Sequence, residues 1–393
     1  MGKLSIRDLD LKAKRLLMRV DFNVPQDNTG KITDDIRIRA SLPTIKYALE
    51  KGVSKLILMS HLGRPKGVDE KLRLNPIAQR LAELLGEKVL KLDDCVGSKI
   101  SQQIKEADEK VILLENLRFH KEEEANDVNF SSQLAKLGDL FVNDAFGTAH
   151  RAHASTEGIT HYLKSAAGFL LDKEIKYLGE ALARPVKPFA VILGGAKVSD
   201  KIAVIENLLP KAQMILIAGG MAYTFLKAKG VKIGKSILDA ERLDFAKDIL
   251  KRAAEAGKKI ILPIDHVAAL SLDKPQTARA IDNVNIPDDL IALDIGPASI
   301  GVFKKELKNA KTIIWNGPLG VSEVEAFSKG TKEIMEFITT LKATTILGGG
   351  DTAAAASKFG VSEKITHIST GGGASLEYME GKILPGIVAL SDK

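Results

Sequence analysis

A chain of 393 residues exceeds the size at which one hydrophobic core stops growing, so two domains are expected. Its apolar fraction of 45% and charged fraction of 27% are those of an ordinary soluble enzyme, and a net charge of +7 with only 5% aromatics fits a basic surface attracting polyanionic substrates better than a nucleic-acid binder. A lone Cys95 excludes an intrachain disulfide and a cysteine zinc site, and no apolar run approaches the roughly 18 residues of a membrane span.

In chain order, the opening Met1-Gly-Lys-Leu-Ser-Ile-Arg7 has neither the apolar core of a signal peptide nor a myristoylation pattern. With the single cysteine, that predicts a cytoplasmic protein. Strands are expected near 15–22, 55–61, 88–92, 110–116, 139–146, 189–195, 214–220, 259–265, 292–296, 312–318, 344–350 and 365–370. Between them lie helical patterns such as Leu42–Glu50, Pro76–Leu85, Ser199–Leu209, Ala240–Ala256 and Ala298–Lys308. Continuously apolar strands separated by helices point to parallel sheets covered on both faces. The expected class is α/β, doubly wound, twice over.

The seam falls at Ala183-Arg-Pro-Val-Lys-Pro188, where two prolines end a charged helical stretch from Asp172 to Leu182. That gives a first domain of 1–171, an interdomain helix or hinge at 172–185, and a second domain beginning at 186.

Polar clusters follow the apolar runs: Val20-Asp21, Ser60-His61, Glu115-Asn116, Asn143-Asp144, Gly194-Gly195, Gly219-Gly220, Asn316-Gly317 and Gly349-Gly350. Open α/β sheets bind ligands beyond the carboxyl ends of their strands. Clusters of the first half carry Arg, His and Asp or Asn, suited to a small, highly charged oxyanion. Those of the second half carry Gly, Lys and Asp, suited to a nucleotide's phosphates. Two complementary half-sites imply a reaction joining their ligands.

Other motifs fail. Gly230-Val-Lys-Ile-Gly-Lys-Ser236 has three residues between its glycines where a P-loop needs four, and a helical run precedes it. The dinucleotide pattern Gly-x-Gly-x-x-Gly is absent from 348–351 and 371–375, and His150 and His153 lack carboxylates spaced for zinc.

From Arg19-Val-Asp-Phe-Asn-Val-Pro25, through His61-Leu-Gly-Arg-Pro65, Gly194-Gly-Ala-Lys-Val-Ser-Asp-Lys201 and Gly348-Gly-Gly-Asp-Thr352, to Ser369-Thr-Gly-Gly-Gly-Ala374, the chain resembles phosphoglycerate kinases. The motifs stand in the family's order and spacing over nearly the whole length. The resemblance implies two Rossmann-like domains with an interdomain cleft, the nucleotide domain spanning 186–375 and a tail, 376–393, returning to the first. It implies reversible phosphoryl transfer between 1,3-bisphosphoglycerate and ADP, giving 3-phosphoglycerate and ATP, in glycolysis and gluconeogenesis. Mg²⁺ bound with the nucleotide is the implied cofactor. The implied form is a monomer without nucleic-acid or membrane partners.

By the same resemblance, Asp21, Asn23, Arg37, His61, Leu62, Gly63, Arg64, Arg118 and Arg151 bind the phosphoglycerate. Arg37 is the arginine nearest the transferred phosphoryl, with Arg39 its competitor, on the opposite side if that segment is extended. A surface salt bridge is the alternative for each arginine. His150 and His153 stay open between direct phosphate contact and support from behind.

On the nucleotide side the resemblance names Gly195, Lys201, Gly219, Gly220, Asn316, Pro318, Glu323, Gly349, Gly350, Asp351 and Thr352. Asp351 holds the metal, and Arg37, Lys197, Gly350 and Gly372 are the catalytic set. Lys197 and Lys201 share one face if Val198 begins a helix. Asp351 could instead cap its helix. One departure is Ser322, where the family commonly has Phe before the glutamate. A different carboxylate kinase and a non-catalytic nucleotide or nucleic-acid binder are the competing functions. The attacking carboxylate is already ionised at neutral pH, so alignment and charge neutralisation, rather than a general base, are what the protein must supply. A hinge movement bringing both ligands together is expected.

Overall fold

The computed structural model describes residues 2–393. It divides into two compact units, one running through Lys176 and taking in Ile383–Lys393, the other Tyr177–Lys382.

In the first unit, β1 (Arg15–Arg19), β2 (Lys55–Met59), β3 (Val89–Lys91), β4 (Val111–Leu113), β5 (Leu140–Asn143) and β6 (Ser165–Ala167) form one sheet in the order β3-β4-β2-β1-β5-β6. Every pairing is parallel. After its first residue, each of β1 and β2 is wholly buried, which is why these strands read as unbroken apolar runs rather than alternating ones. The helix Asn75–Leu85 carries Pro76 in its first turn, turns Ile77, Ala78 and Leu81 inward, and stops at Gly86 with φ 72°. The tail rejoins this unit through Leu4 N–H donating to the Ser391 carbonyl and Gly386 N–H donating to that of Ala149, both at 2.9 Å.

The second unit begins with β7 (Phe189–Leu193), β8 (Met214–Ile217) and β9 (Lys259–Ile261). Next come β10 (His266–Ala269), β11 (Arg279–Ile281) and β12 (Ile291–Ile295), then β13 (Thr312–Asn316), β14 (Thr344–Gly348) and β15 (His367–Ile368). Its main sheet, β15-β14-β13-β7-β8-β9, is again parallel, while β11-β10-β12 is a separate antiparallel sheet. All of β7 is buried, and Trp315 of β13 is the largest fully buried side chain, its indole N–H donating to the Gly317 carbonyl at 2.7 Å.

In each sheet a central strand has neighbours reached by opposite chain paths: β1 between β2 and β5, β7 between β8 and β13. Such switch points open a crevice at the strands' carboxyl ends. The polar clusters lie there.

Four local expectations need correction. The small-residue strand β6 and the antiparallel β10 and β11 were not foreseen, because Ser165-Ala-Ala167 is too short and weakly apolar to signal a strand. The stretch after Asp34 is not extended: Arg37 and Arg39 lie in the first turn of the helix Ile36–Glu50. Val198 does not begin an α-helix either. A single tight turn, Ser199–Lys201, comes first, and the α-helix runs Ile202–Leu208. The Asp172–Leu182 stretch is helical but loosens to a π-turn over Ile175–Gly179. No helix among the described residues is long and apolar enough to cross a membrane.

Candidate active site

The carboxyl ends of β1, β2 and β4 assemble the first half-site. Asp21 lies just past β1, and its Oδ2 accepts from Arg37 Nη1 at 2.6 Å. Asn23 Oδ1 accepts the Gly63 N–H at 2.9 Å, tying that segment to the loop His61-Leu-Gly-Arg64. Asn116 clamps the same loop from β4, donating to the Leu62 carbonyl at 2.8 Å while its Oδ1 accepts the Leu62 and Arg118 amides. Arg118 Nη1 donates to the Gly63 carbonyl at 2.8 Å. Arg64 and Arg151 extend into solvent.

Thus Asp21, Asn23, Arg37, His61, Leu62, Gly63 and Arg118 are joined by direct hydrogen bonds or shared segments. Arg39 belongs elsewhere. It pairs with Asp35 at 2.8 Å, and Asp35, Arg39 and Arg80 line a separate depression of about 740 Å³.

His61 is buried, and burial together with the nearby Arg19, Arg118 and Arg37 holds its imidazole well below the usual range, hence neutral. His153 is buried as well, and burial with the charges of Arg19, Arg118 and Arg151 pushes it down to about 4. Its Nδ1 lies 3.8 Å from Glu123 Oε1, so it faces an interior carboxylate.

The second half-site is a cavity of about 370 Å³ walled by the ends of β7, β13 and β14 and by two helix starts. Gly195, Lys197, Lys201, Asn316, Pro318, Gly349, Gly350, Asp351, Thr352 and Gly372 all line it. Glycine is required at its back wall, where a Cβ on Gly194 would stand 1.9 Å from the Pro318 carbonyl oxygen. Gly349, with φ 91°, occupies the cap position of the helix Gly350–Lys358 with no side-chain cap. Asp351 therefore does not cap the helix. It sits exposed in the first turn, on the cavity.

Lys201 bonds Asn316 Oδ1, and burial lowers its ammonium pKa against the pull of Asp200 and Asp351. Thr352 Oγ1 accepts the Gly317 N–H at 2.8 Å. Gly219 and Gly220 lie behind the lining, where a Cβ on either would crowd the Gly195 or Ala196 backbone. Glu323 is not part of the cavity wall; it borders a separate depression with Lys304 and Phe337. Ser322, buried, has its carbonyl held by Lys358 Nζ at 2.8 Å.

Sequence reading passed over Asp200 and Gly373 on the cavity wall, and Arg19, Glu123 and Ser155 behind the first half-site. Arg19 carried a signal: an arginine ending a strand buried on both faces must find interior partners.

The sequence pattern of the family described as "Phosphoglycerate kinase" matches residues 6–382. The chain belongs to the phosphoglycerate kinase family. A phosphoglycerate kinase of Koribacter versatilis is 55% identical over 404 residues, covering all of both chains, and one of Dictyoglomus turgidum is 56% identical over 99% of this chain and 98% of its own. Among solved structures, phosphoglycerate kinase from Coxiella burnetii superposes with a TM-score of 0.91 at 41% identity, covering 99% of this chain and 98% of that one. That from Pyrococcus horikoshii OT3 gives 0.83 at 34%, with 98% of each chain covered. As a phosphoglycerate kinase the chain is a phosphotransferase with a carboxyl acceptor, moving a phosphoryl group between 1,3-bisphosphoglycerate and ADP.

Proposed function

We propose that the first unit holds the phosphoglycerate partner and the second the adenine nucleotide. The observation that carries this is chemical. A glycine-walled cavity with Lys197 and Lys201 at a strand-to-helix switch point is built for phosphates, whereas the Asp21–Arg37 and Asn23–Gly63 cluster offers the forks and amides that suit a small carboxylate anion.

Arg64, Arg118 and Arg151, with His61, hold the non-transferred phosphate, while Asp21 and Asn23 address the hydroxyl and carboxyl end. Leu62 and Gly63 contribute backbone. His61, neutral, serves as a hydrogen-bond donor rather than as a charge. On the other side Lys201 grips the nucleotide's phosphates, and amides at Gly349, Gly350, Thr352 and Gly372 receive the oxygens of the moving group. Gly195, Gly219, Gly220, Asn316, Pro318 and Glu323 form the nucleoside side. Arg37 and Lys197 neutralise the phosphoryl group in transit, which must lie within roughly 3 to 3.5 Å of the attacking oxygen. Partial release of Lys201 from water strengthens its hold on an anion.

The carboxylates present fit Mg²⁺, because Asp351 and Asp200 are exposed oxygen donors on the same cavity. Asp351 would hold the ion, which supplies charge neutralisation on the nucleotide's phosphate oxygens. The proposal extends to a cytoplasmic monomer with the first unit as phosphoglycerate domain, the second as nucleotide domain and the stretch 172–185 as hinge.

A coupled assay with 3-phosphoglycerate and MgATP tests the reading. Turnover with 3-phosphoglycerate is expected. Turnover with acetate or aspartate instead would assign the scaffold to another carboxylate kinase, and no turnover with any of them would leave a non-catalytic binder.

A further inference from the structure

Arg19 ends β1 with its side chain only 1% exposed. Its Nε donates to Ser155 Oγ at 2.9 Å, one terminal nitrogen donates to the Val20 carbonyl, and Nη2 lies 3.1 Å from His61 Nδ1. A guanidinium has no acceptor, so His61 Nδ1 must be the unprotonated nitrogen of this pair. The proton of the neutral ring is then on Nε2.

Behind Arg19 the chain of bonds continues. Because Ser155 Oγ accepts from Arg19, its own hydrogen is free to go to Glu123 Oε1, 2.6 Å away. The Ser155 amide donates to Glu123 Oε2 at 3.0 Å. Both carboxylate oxygens thus accept, the pattern of an ionised group, and these bonds together with the Arg19 charge oppose the burial that pushes the carboxyl up. Glu123 is 1% exposed, although it sits in the run Lys121-Glu-Glu-Glu124, whose other members face outward or lie half-buried. Taking a carboxylate out of water is costly unless it is paired and hydrogen-bonded. Here the pairing runs through a hydroxyl to Arg19.

We propose that Glu123 and Ser155 are positioning residues for the phosphoglycerate half-site: through Arg19 they fix the ring plane and the Nε2–H tautomer of His61. The inference rests on the proposed role of the first unit, since His61 matters only if its loop holds the anionic substrate. Neither residue touches the ligand. An orientation chain of this kind parallels the carboxylate that fixes a metal-bound histidine from behind.

Field strength and position predict opposite results here. Glu123→Gln removes a negative charge beside an anion site, which by field alone tightens 3-phosphoglycerate binding. Positioning predicts the reverse, because the amide cannot accept from both Ser155 groups and Arg19 loses its anchor. In the full-length enzyme, Glu123→Gln and Ser155→Ala are expected to raise the KM for 3-phosphoglycerate about tenfold or more, with the KM for MgATP unchanged. Long-range ¹H–¹⁵N spectra of the imidazoles should find His61 as the Nε2–H tautomer in the unaltered protein and as a mixture in the variants. A KM for 3-phosphoglycerate that is unchanged or lower in Glu123→Gln overturns the proposal. So does an Nδ1–H tautomer of His61 in the unaltered protein, a result that holds even if both variants fail to fold. Loss of 3-phosphoglycerate turnover in the unaltered enzyme is a different failure, because it strikes the assignment of the half-site and leaves the tautomer measurement standing.

Discussion

Arg37 Nη1 donates to Asp21 Oδ2 at 2.6 Å, binding the first turn of the helix Ile36–Glu50 to the carboxyl end of β1. Asp21 is mostly shielded, whereas Arg37 keeps 41% of its side chain in solvent, so one face of the guanidinium stays open to an incoming anion. Two residues on, Arg39 is spent on Asp35. Position in one helical turn therefore separates two arginines that sequence leaves as competitors.

Arg37→Ala is expected to lower kcat on the order of 10² or more, since a preorganised donor matters most as charge spreads in the transition state. Arg39→Ala should cost only the little stability that an exposed pair contributes, with kcat near normal. Steady-state kinetics on the two variants decide it, and equal kcat losses would remove the case for Arg37.

Asp351 tests the other unit. With Gly349 in the cap position, removing the carboxylate takes no cap from the helix Gly350–Lys358. Asp351→Ala should therefore leave the melting temperature close to normal while raising the Mg²⁺ concentration needed for half-maximal activity and lowering kcat. The 3-phosphoglycerate affinity, measured by calorimetry, should not change. A collapse of that affinity would contradict the division of ligands between units.

The doubly wound class and the location of ligands at strand ends were legible because β1, β2 and β7 are buried on both faces and end at abrupt polar clusters. Most of the glycine-rich half-site was legible for the same reason. What the sequence hid was partnership. Glu123 reads as one of three surface glutamates, and nothing local says that it, rather than Glu122 or Glu124, turns inward to Ser155. Asn116 looks like a ligand group at a strand end, yet its amide is consumed in holding the Leu62 and Leu72 carbonyls. Glu323 follows its motif in sequence but not the cavity wall in space.

Gly194 offers a purely steric test. A methyl group there meets the Pro318 carbonyl oxygen at 1.9 Å; the Cβ has no rotatable bond to escape by, and the oxygen belongs to backbone. Gly194→Ala is expected to cost about 1–3 kcal/mol or more through overpacking. It should also raise the KM for MgATP by shifting Gly317 and Pro318. Trp315, the single tryptophan, donates to the Gly317 carbonyl, so its fluorescence should report the change directly. Unaltered emission with a normal KM for MgATP would mean that this wall is more yielding than its spacing implies.

Asp144 supplies a pH test of the first unit. It follows β5, is 1% exposed, and its Oδ1 accepts the amides of Leu170 at 2.8 Å and Leu171 at 3.4 Å. Burial pushes its carboxyl up from 3.8 to about 7, with the hydrogen bonds opposing. A folded-state pKa raised above the unfolded one contributes stability that is fully present below the unfolded value and is lost as pH rises through the folded value. This group therefore weakens the fold progressively from about pH 4 to about pH 7. His153, held near 4, acts in the same interval with the opposite sign, favouring the fold as pH rises to about 6.5, so the total stability curve does not isolate Asp144. Asp144→Asn does. The amide keeps an acceptor for Leu170 and removes the titration, while His153 is common to both proteins and cancels. The stability of Asp144→Asn relative to the unaltered protein should rise by roughly 2–3 kcal/mol between pH 5 and pH 8. Urea unfolding at the two pH values, followed by far-ultraviolet circular dichroism, measures it. A relative stability that stays flat or falls across that interval would show that Asp144 is already ionised at pH 5 and that its two amide bonds outweigh its burial.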